Sequence, residues 1–174
     1  MKHNESLIES KNAYDWLGNG IYFWEQNLER AWDWAKEHKK TPAVIGAVID
    51  LGNCLNLCDK HCIDVLKNQY EYLKDVQEKF NVTLPKNVNV KNNSDLLLRY
   101  LDCAVIETLH RFNSHKGQPE YDSVRGVFLE GDPIYENSGF RSKTHIQICV
   151  RNPNCIKGMF LPRAKAEDSN WDIP

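Results

Sequence analysis

No apolar run in this 174-residue chain approaches the roughly 20 residues that a membrane helix needs. The first 30 residues also lack the apolar stretch of a secretory signal. No membrane partner is therefore expected, and the simplest placement is the cytoplasm. No internal repeat or low-complexity linker occurs, which excludes a fibrous array, and 41% hydrophobic against 26% charged residues excludes wholesale disorder. Net charge is nearly absent: 22 Lys and Arg against 24 Asp and Glu leave −2. A chain of this length buries roughly 70% of its unfolded surface, so one domain that needs no staples is expected across residues 1–174.

The small net charge hides an uneven distribution. From Asn137 to Ala166 the chain carries Arg141, Lys143, Arg151, Lys157, Arg163 and Lys165 and no acidic residue. Such a stretch suits an anion, either a cofactor phosphate or a nucleic acid, and equally suits a solvated basic face. Six cysteines are present, three of them spaced as Cys54, Cys58 and Cys62. Without a secretion signal they read as reduced thiols. No second pair stands at a matching interval, so no metal is assigned, although His61 beside Cys62 leaves a metal site as the alternative. The expected role of the thiols is as small apolar residues in or near the core.

Hydrophobic spacing marks the elements. Asn27 is a good N-cap, and Leu28, Ala31, Trp32 and Ala35 predict an amphipathic helix over 28–39 that Pro42 stops. Ala43 to Asp50 is a continuous apolar run of strand length, which predicts a buried strand. Ile63, Leu66, Tyr70, Leu73, Gln77 and Phe80 form one stripe of a long helix over 60–80. Ser94 is expected to cap a second helix carrying Leu97, Leu101, Val105 and Leu109. Strands follow at Ser123–Glu130, Thr144–Val150 and Ile156–Leu161, separated by turn signals. The expected class is α+β, a mostly antiparallel sheet with a helical pair inserted at about 60–112.

The densest chemical signal is SKNAYDWLGNGIYFWEQNLERAWDWA, residues 10–35. Gly18 and Gly20, lacking Cβ, permit a tight turn and close approach of a ligand to the backbone, while Tyr22 and Phe23 offer stacking surfaces. Three aromatics in a row suit a core just as well.

This block resembles the second conserved block of the diphtheria- and cholera-toxin-like ADP-ribosyltransferase superfamily. The likeness rests on Ser10, Asp15-Trp16-Leu17-Gly18, Gly20, Tyr22-Phe23, Ala31 and Trp34-Ala35. Val124-Arg125-Gly126, Phe128, Glu130-Gly131 and His145-x-Gln147-Ile148 are similar to the family's late strands. The resemblance implies the family's split sheet and a cleft that binds NAD as a substrate. It also implies cleavage of the nicotinamide–ribose bond and transfer of ADP-ribose to a macromolecular acceptor, whether RNA, DNA or protein. Small cytosolic domains of this type resemble toxins of toxin–antitoxin or phage-defence systems, so an antitoxin is an implied partner. By the same resemblance Tyr22 stacks on nicotinamide and Ser10, Gly18, Gly20 and Phe23 line the pocket.

Two departures shape the expectation. The third catalytic position is normally a glutamate, and here it is Gln147, which can hydrogen-bond a ribose hydroxyl but cannot act as a base. Glu130, at the end of the preceding strand, becomes the acidic candidate. Family members also open with a strand bearing His or Arg, for which the nine residues before Ser10 offer no counterpart. Three expectations follow: the reading frame starts upstream, His145 or Arg125 does this work, or the site is degraded. Arg125, on an apolar strand, needs an anionic partner or a path to water, and a pyrophosphate would suit it. The alternative function is a catalytically inactive nucleotide- or partner-binding module on the same fold. A third reading has Tyr22, Phe23 and Trp24 stacking bases of a nucleic acid beside the basic stretch.

Overall fold

β-Branched and aromatic side chains at Ile21–Trp24 suit a pleated strand, and this segment forms β1, an element for which the sequence reading has no counterpart. The computed structural model describes residues 7–89 and 96–163. Asn27 caps α1 (Leu28–His38) by accepting the Arg30 N–H. Next come β2 (Gly46–Ile49), β3 (Cys54–Asn56) and α2 (Lys60–Phe80). They are followed by α3 (Tyr100–His115), β4 (Ser123–Phe128), β5 (His145–Val150) and β6 (Ile156–Phe160).

The strands form a four-stranded sheet in the order β1-β5-β4-β3 and a two-stranded ribbon of β2 and β6. All pairings are antiparallel except β3 with β4, which α2 and α3 separate in the chain. A parallel pair needs such a crossover, so the helical pair follows from the topology. The result is a mixed α+β arrangement.

Each face of the large sheet covers its own core. Leu55, Val124, Phe128 and Cys149 meet Leu17 and the α3 residues Ile106 and Leu109 on one face. Ile148 and Val150 meet Cys155 on the other, backed by Ile21, Phe23, Ile49 and Ile156. Cys103, Cys149 and Cys155 are buried as expected of small apolar groups, whereas Cys58 is exposed, and all six thiols are free.

Three expectations change. The 43–50 run is not a fully buried strand: only Gly46–Ile49 pairs, and Val48 is exposed because a two-stranded ribbon covers one of its faces alone. The stripe expected on α2 holds in its middle and fails at its ends: Leu66, Tyr70, Leu73 and Gln77 are partly buried, whereas Ile63 and Phe80 are exposed and Gln69 is buried beside them. In addition, α3 begins at Tyr100, so Leu97 precedes it; the proposed cap Ser94 lies outside the described residues.

Candidate functional site

The Gly18–Gly20 turn is built against the protein's own helix and strand. Gly18 has φ +79°, and a Cβ there would lie 2.5 Å from Glu107 Oε1. Gly20 has φ +157°, and its Cβ would meet Cys149 Sγ at 2.5 Å. Ser10 closes the turn through a pair of backbone hydrogen bonds with Gly20, at 2.8 and 3.0 Å. The Asn19 N–H donates to Glu107 at 2.8 Å, while Arg151 donates to the Asn19 carbonyl at 2.9 Å and to Glu107 at 2.5 Å. An ion pair between α3 and the residue after β5 thus grips both backbone polar groups of Asn19.

Tyr22 belongs to the same unit. Its hydroxyl accepts the Leu17 N–H at 2.9 Å and donates to the Gly18 carbonyl at 2.7 Å. Burial, with Cys149 alongside, raises its pKa far above the usual range, so the phenol stays protonated. Burial likewise pushes the Cys149 thiol up to about 12, which makes it a packing group rather than a nucleophile.

A second cluster sits where β4 ends and β5 begins. Arg30 of α1 reaches Glu130 at 3.5 Å, and Glu130 lies 3.9 Å from His145 Nδ1. His145 Nδ1 is 2.7 Å from the Lys143 carbonyl, and His145 Nε2 is 3.0 Å from Gln147 Nε2. Burial lowers the His145 pKa below its ordinary 6.5. The register pairs Trp24 with Gln147 and Tyr22 with Cys149, so Tyr22 and Gln147 stand on one face of the sheet. Around this cluster, Trp24 Nε1 and Arg30 Nε are buried donors with no hydrogen-bond partner among the described residues.

Arg125 and Phe23 stand on the opposite face. Arg125 pairs with Ile148, the residue after Gln147 and so on the other face from His145 and Gln147, and its fork grips Glu25 at 2.6 and 3.1 Å. Its remaining nitrogen donates to Asn56 at 3.1 Å. The anionic partner the sequence calls for is therefore internal. The face alternation also separates Tyr22 and Trp24 from Phe23, so the three rings form no single stacking platform.

The basic stretch does not act as one patch either. Arg151 is spent on Glu107, Lys157 lies 3.7 Å from Asp50, and Arg141 donates to the Gly131 carbonyl at 3.4 Å. Lys165 lies outside the described residues. A cavity of about 300 Å³ opens between Glu9, Glu120, Tyr121, Asp122, Arg151 and Asn152. It holds none of the site residues expected from sequence, and three carboxylates against one guanidinium suit no dinucleotide. Among the described residues no group of three or more His, Cys, Asp and Glu side chains could hold a metal ion.

Sequence reasoning missed Glu25, Arg30 and Glu107. Each looks like an ordinary solvated charge in sequence, and only the fold brings its partner to it. Arg151 carried a faint signal, as a charge directly following an apolar strand.

Among known proteins, the chain is 26% identical over 175 residues to an uncharacterized protein of Methanocaldococcus jannaschii, an alignment covering 88% of this chain and 77% of that protein. No protein-family model matches, and no solved structure matches. Among the described residues no helix is long and apolar enough to cross a membrane.

Proposed function

We propose that the chain is an NAD-dependent mono-ADP-ribosyltransferase domain that cleaves the nicotinamide–ribose bond and passes ADP-ribose to a macromolecular acceptor, as a toxin or defence effector would. One observation carries this reading: Glu130, His145 and Gln147, named from sequence as catalytic or NAD-binding, join through contacts of 3.0 and 3.9 Å beside Arg30. Bond cleavage at the ribose develops positive charge on the sugar. Glu130 would oppose that charge, and Gln147 would hold a ribose hydroxyl without serving as a base. Tyr22 would contribute its ring, since its hydroxyl is committed to Leu17 and Gly18. Trp24 Nε1 and Arg30 Nε, buried donors that meet no partner among the described residues, favour an acceptor-rich ligand at this end of the sheet, because buried donors are costly when unmet.

The test is release of free nicotinamide from NAD, with and without added RNA, DNA or protein. Release should rise with one acceptor class and fall about 100-fold or more in Glu130→Gln. A folded wild-type chain that releases none overturns the reading. A second reading, a nucleotide- or partner-binding module without turnover, is favoured by the uncharged Gln147 and by the occupation of Arg125 by Glu25. It predicts saturable NAD or partner binding with no nicotinamide release.

A further inference from the structure

We propose that His145 is a positioning residue that fixes the Gln147 amide so that its carbonyl oxygen, and not its NH2, is offered to the ligand. The site would then select a hydrogen-bond donor at this point, such as a ribose hydroxyl. This deepens the transferase reading and, for the identity of the ligand, rests on it.

The argument follows the protons. A backbone carbonyl can only accept, so the 2.7 Å contact with Lys143 places the hydrogen on His145 Nδ1. The imidazole is buried, with its side chain 1% exposed, and burial favours the neutral form. A neutral ring with hydrogen on Nδ1 has only a lone pair at Nε2. The 3.0 Å contact there must then be a donation from the Gln147 NH2. The planar amide consequently turns Oε1 away from the imidazole. Phe128 stacks on the ring at 5.6 Å and limits its rotation.

The charges around His145 keep this arrangement in balance. Glu130, beyond the end of β4, lies 3.9 Å from Nδ1 and favours the imidazolium, while Arg30 of α1 opposes it. If His145 gained a second proton, Nε2 would become a donor and the amide would have to turn round. Gln147 would then present its NH2, which repels a hydroxyl donor and suits an acceptor. A glutamine whose orientation is fixed can thus reproduce the accepting function of a carboxylate oxygen without its charge.

Two measurements test this. The first needs no NAD: nitrogen-15 spectra of the histidine side chains should show His145 as the Nδ1–H tautomer near neutral pH. In Gln147→Glu the partner can no longer donate, so the His145 protonation constant should rise about tenfold or more. An Nε2–H tautomer, or an unmoved titration in Gln147→Glu, overturns the proposed orientation. The second compares binding of NAD with binding of its analogue lacking the 2′-hydroxyl on the nicotinamide ribose. Wild type should prefer NAD by about tenfold, and His145→Phe, which keeps the ring on Phe128, should lose most of that preference. A preference retained in His145→Phe overturns the positioning role. If wild type binds neither ligand, the transferase reading and the ribose assignment fall together, while the spectra still decide the amide orientation.

Discussion

Tyr22 joins the turn to the sheet through a single oxygen atom. Its hydroxyl satisfies a backbone N–H and a backbone carbonyl, at Leu17 and Gly18, that have few other ways to be met. Tyr22→Phe keeps the ring and deletes both bonds, so it should cost about 1–3 kcal/mol by urea unfolding. The same variant separates two roles: if only the ring meets nicotinamide, KM for NAD should change little while stability falls. Gly18→Ala should cost a similar amount, about 1–3 kcal/mol, because φ +79° and the nearby Glu107 oxygen both oppose a Cβ. The glycines and the tyrosine could be read from the chain as one block. Their physical reason could not, because the atoms that forbid a Cβ belong to Glu107 and Cys149, far along the sequence.

At the scale of elements, α3 does more than bury Ile106 and Leu109. Its Glu107, with the side chain only 18% exposed, accepts the Asn19 N–H, while Arg151 beyond β5 donates to the Asn19 carbonyl. Glu107→Gln should leave Arg151 without its charge partner and speed hydrogen exchange at the Asn19 amide, at a cost of about 1–3 kcal/mol for this half-buried pair. Exchange at Asn19 that matches wild type would show that the turn holds itself. The helices were legible from spacing because period and caps are local: Asn27 caps α1 as expected, and Asp59 caps α2 by accepting the His61 and Cys62 N–H groups. The face that α2 buries was not legible. Its apolar residues spread widely enough to allow two stripes, and only the folded structure chose between them, burying Gln69 and leaving Phe80 in water.

For the whole molecule, the buried histidines set the response to acid. His110 is 2% exposed and neither ring nitrogen has a partner among the described residues. Burial, reinforced by Arg151, pushes its pKa down to about 4 from 6.5. Between those values the unfolded chain binds a proton that the folded chain refuses, so stability is full above about pH 6.5 and falls as pH drops toward about 4. His145, lowered in the same direction, adds to this trend. The urea midpoint should decline across that window in wild type and decline less in His110→Phe; identical profiles would remove His110 from the account. The sequence by itself determined the α+β class, the helical pair between the strands, and the Gly18–Tyr22 block, because periodicity, caps and turn residues act over a few neighbours. Tertiary structure alone decided that Arg125 meets Glu25 across 100 residues and that Arg151 meets Glu107 across 44. It also gathered Arg30, Glu130, His145 and Gln147 at one end of a sheet. Charge partners carry no spacing signal in a chain, since any carboxylate can answer any guanidinium, and only strand register and helix docking select which pair forms.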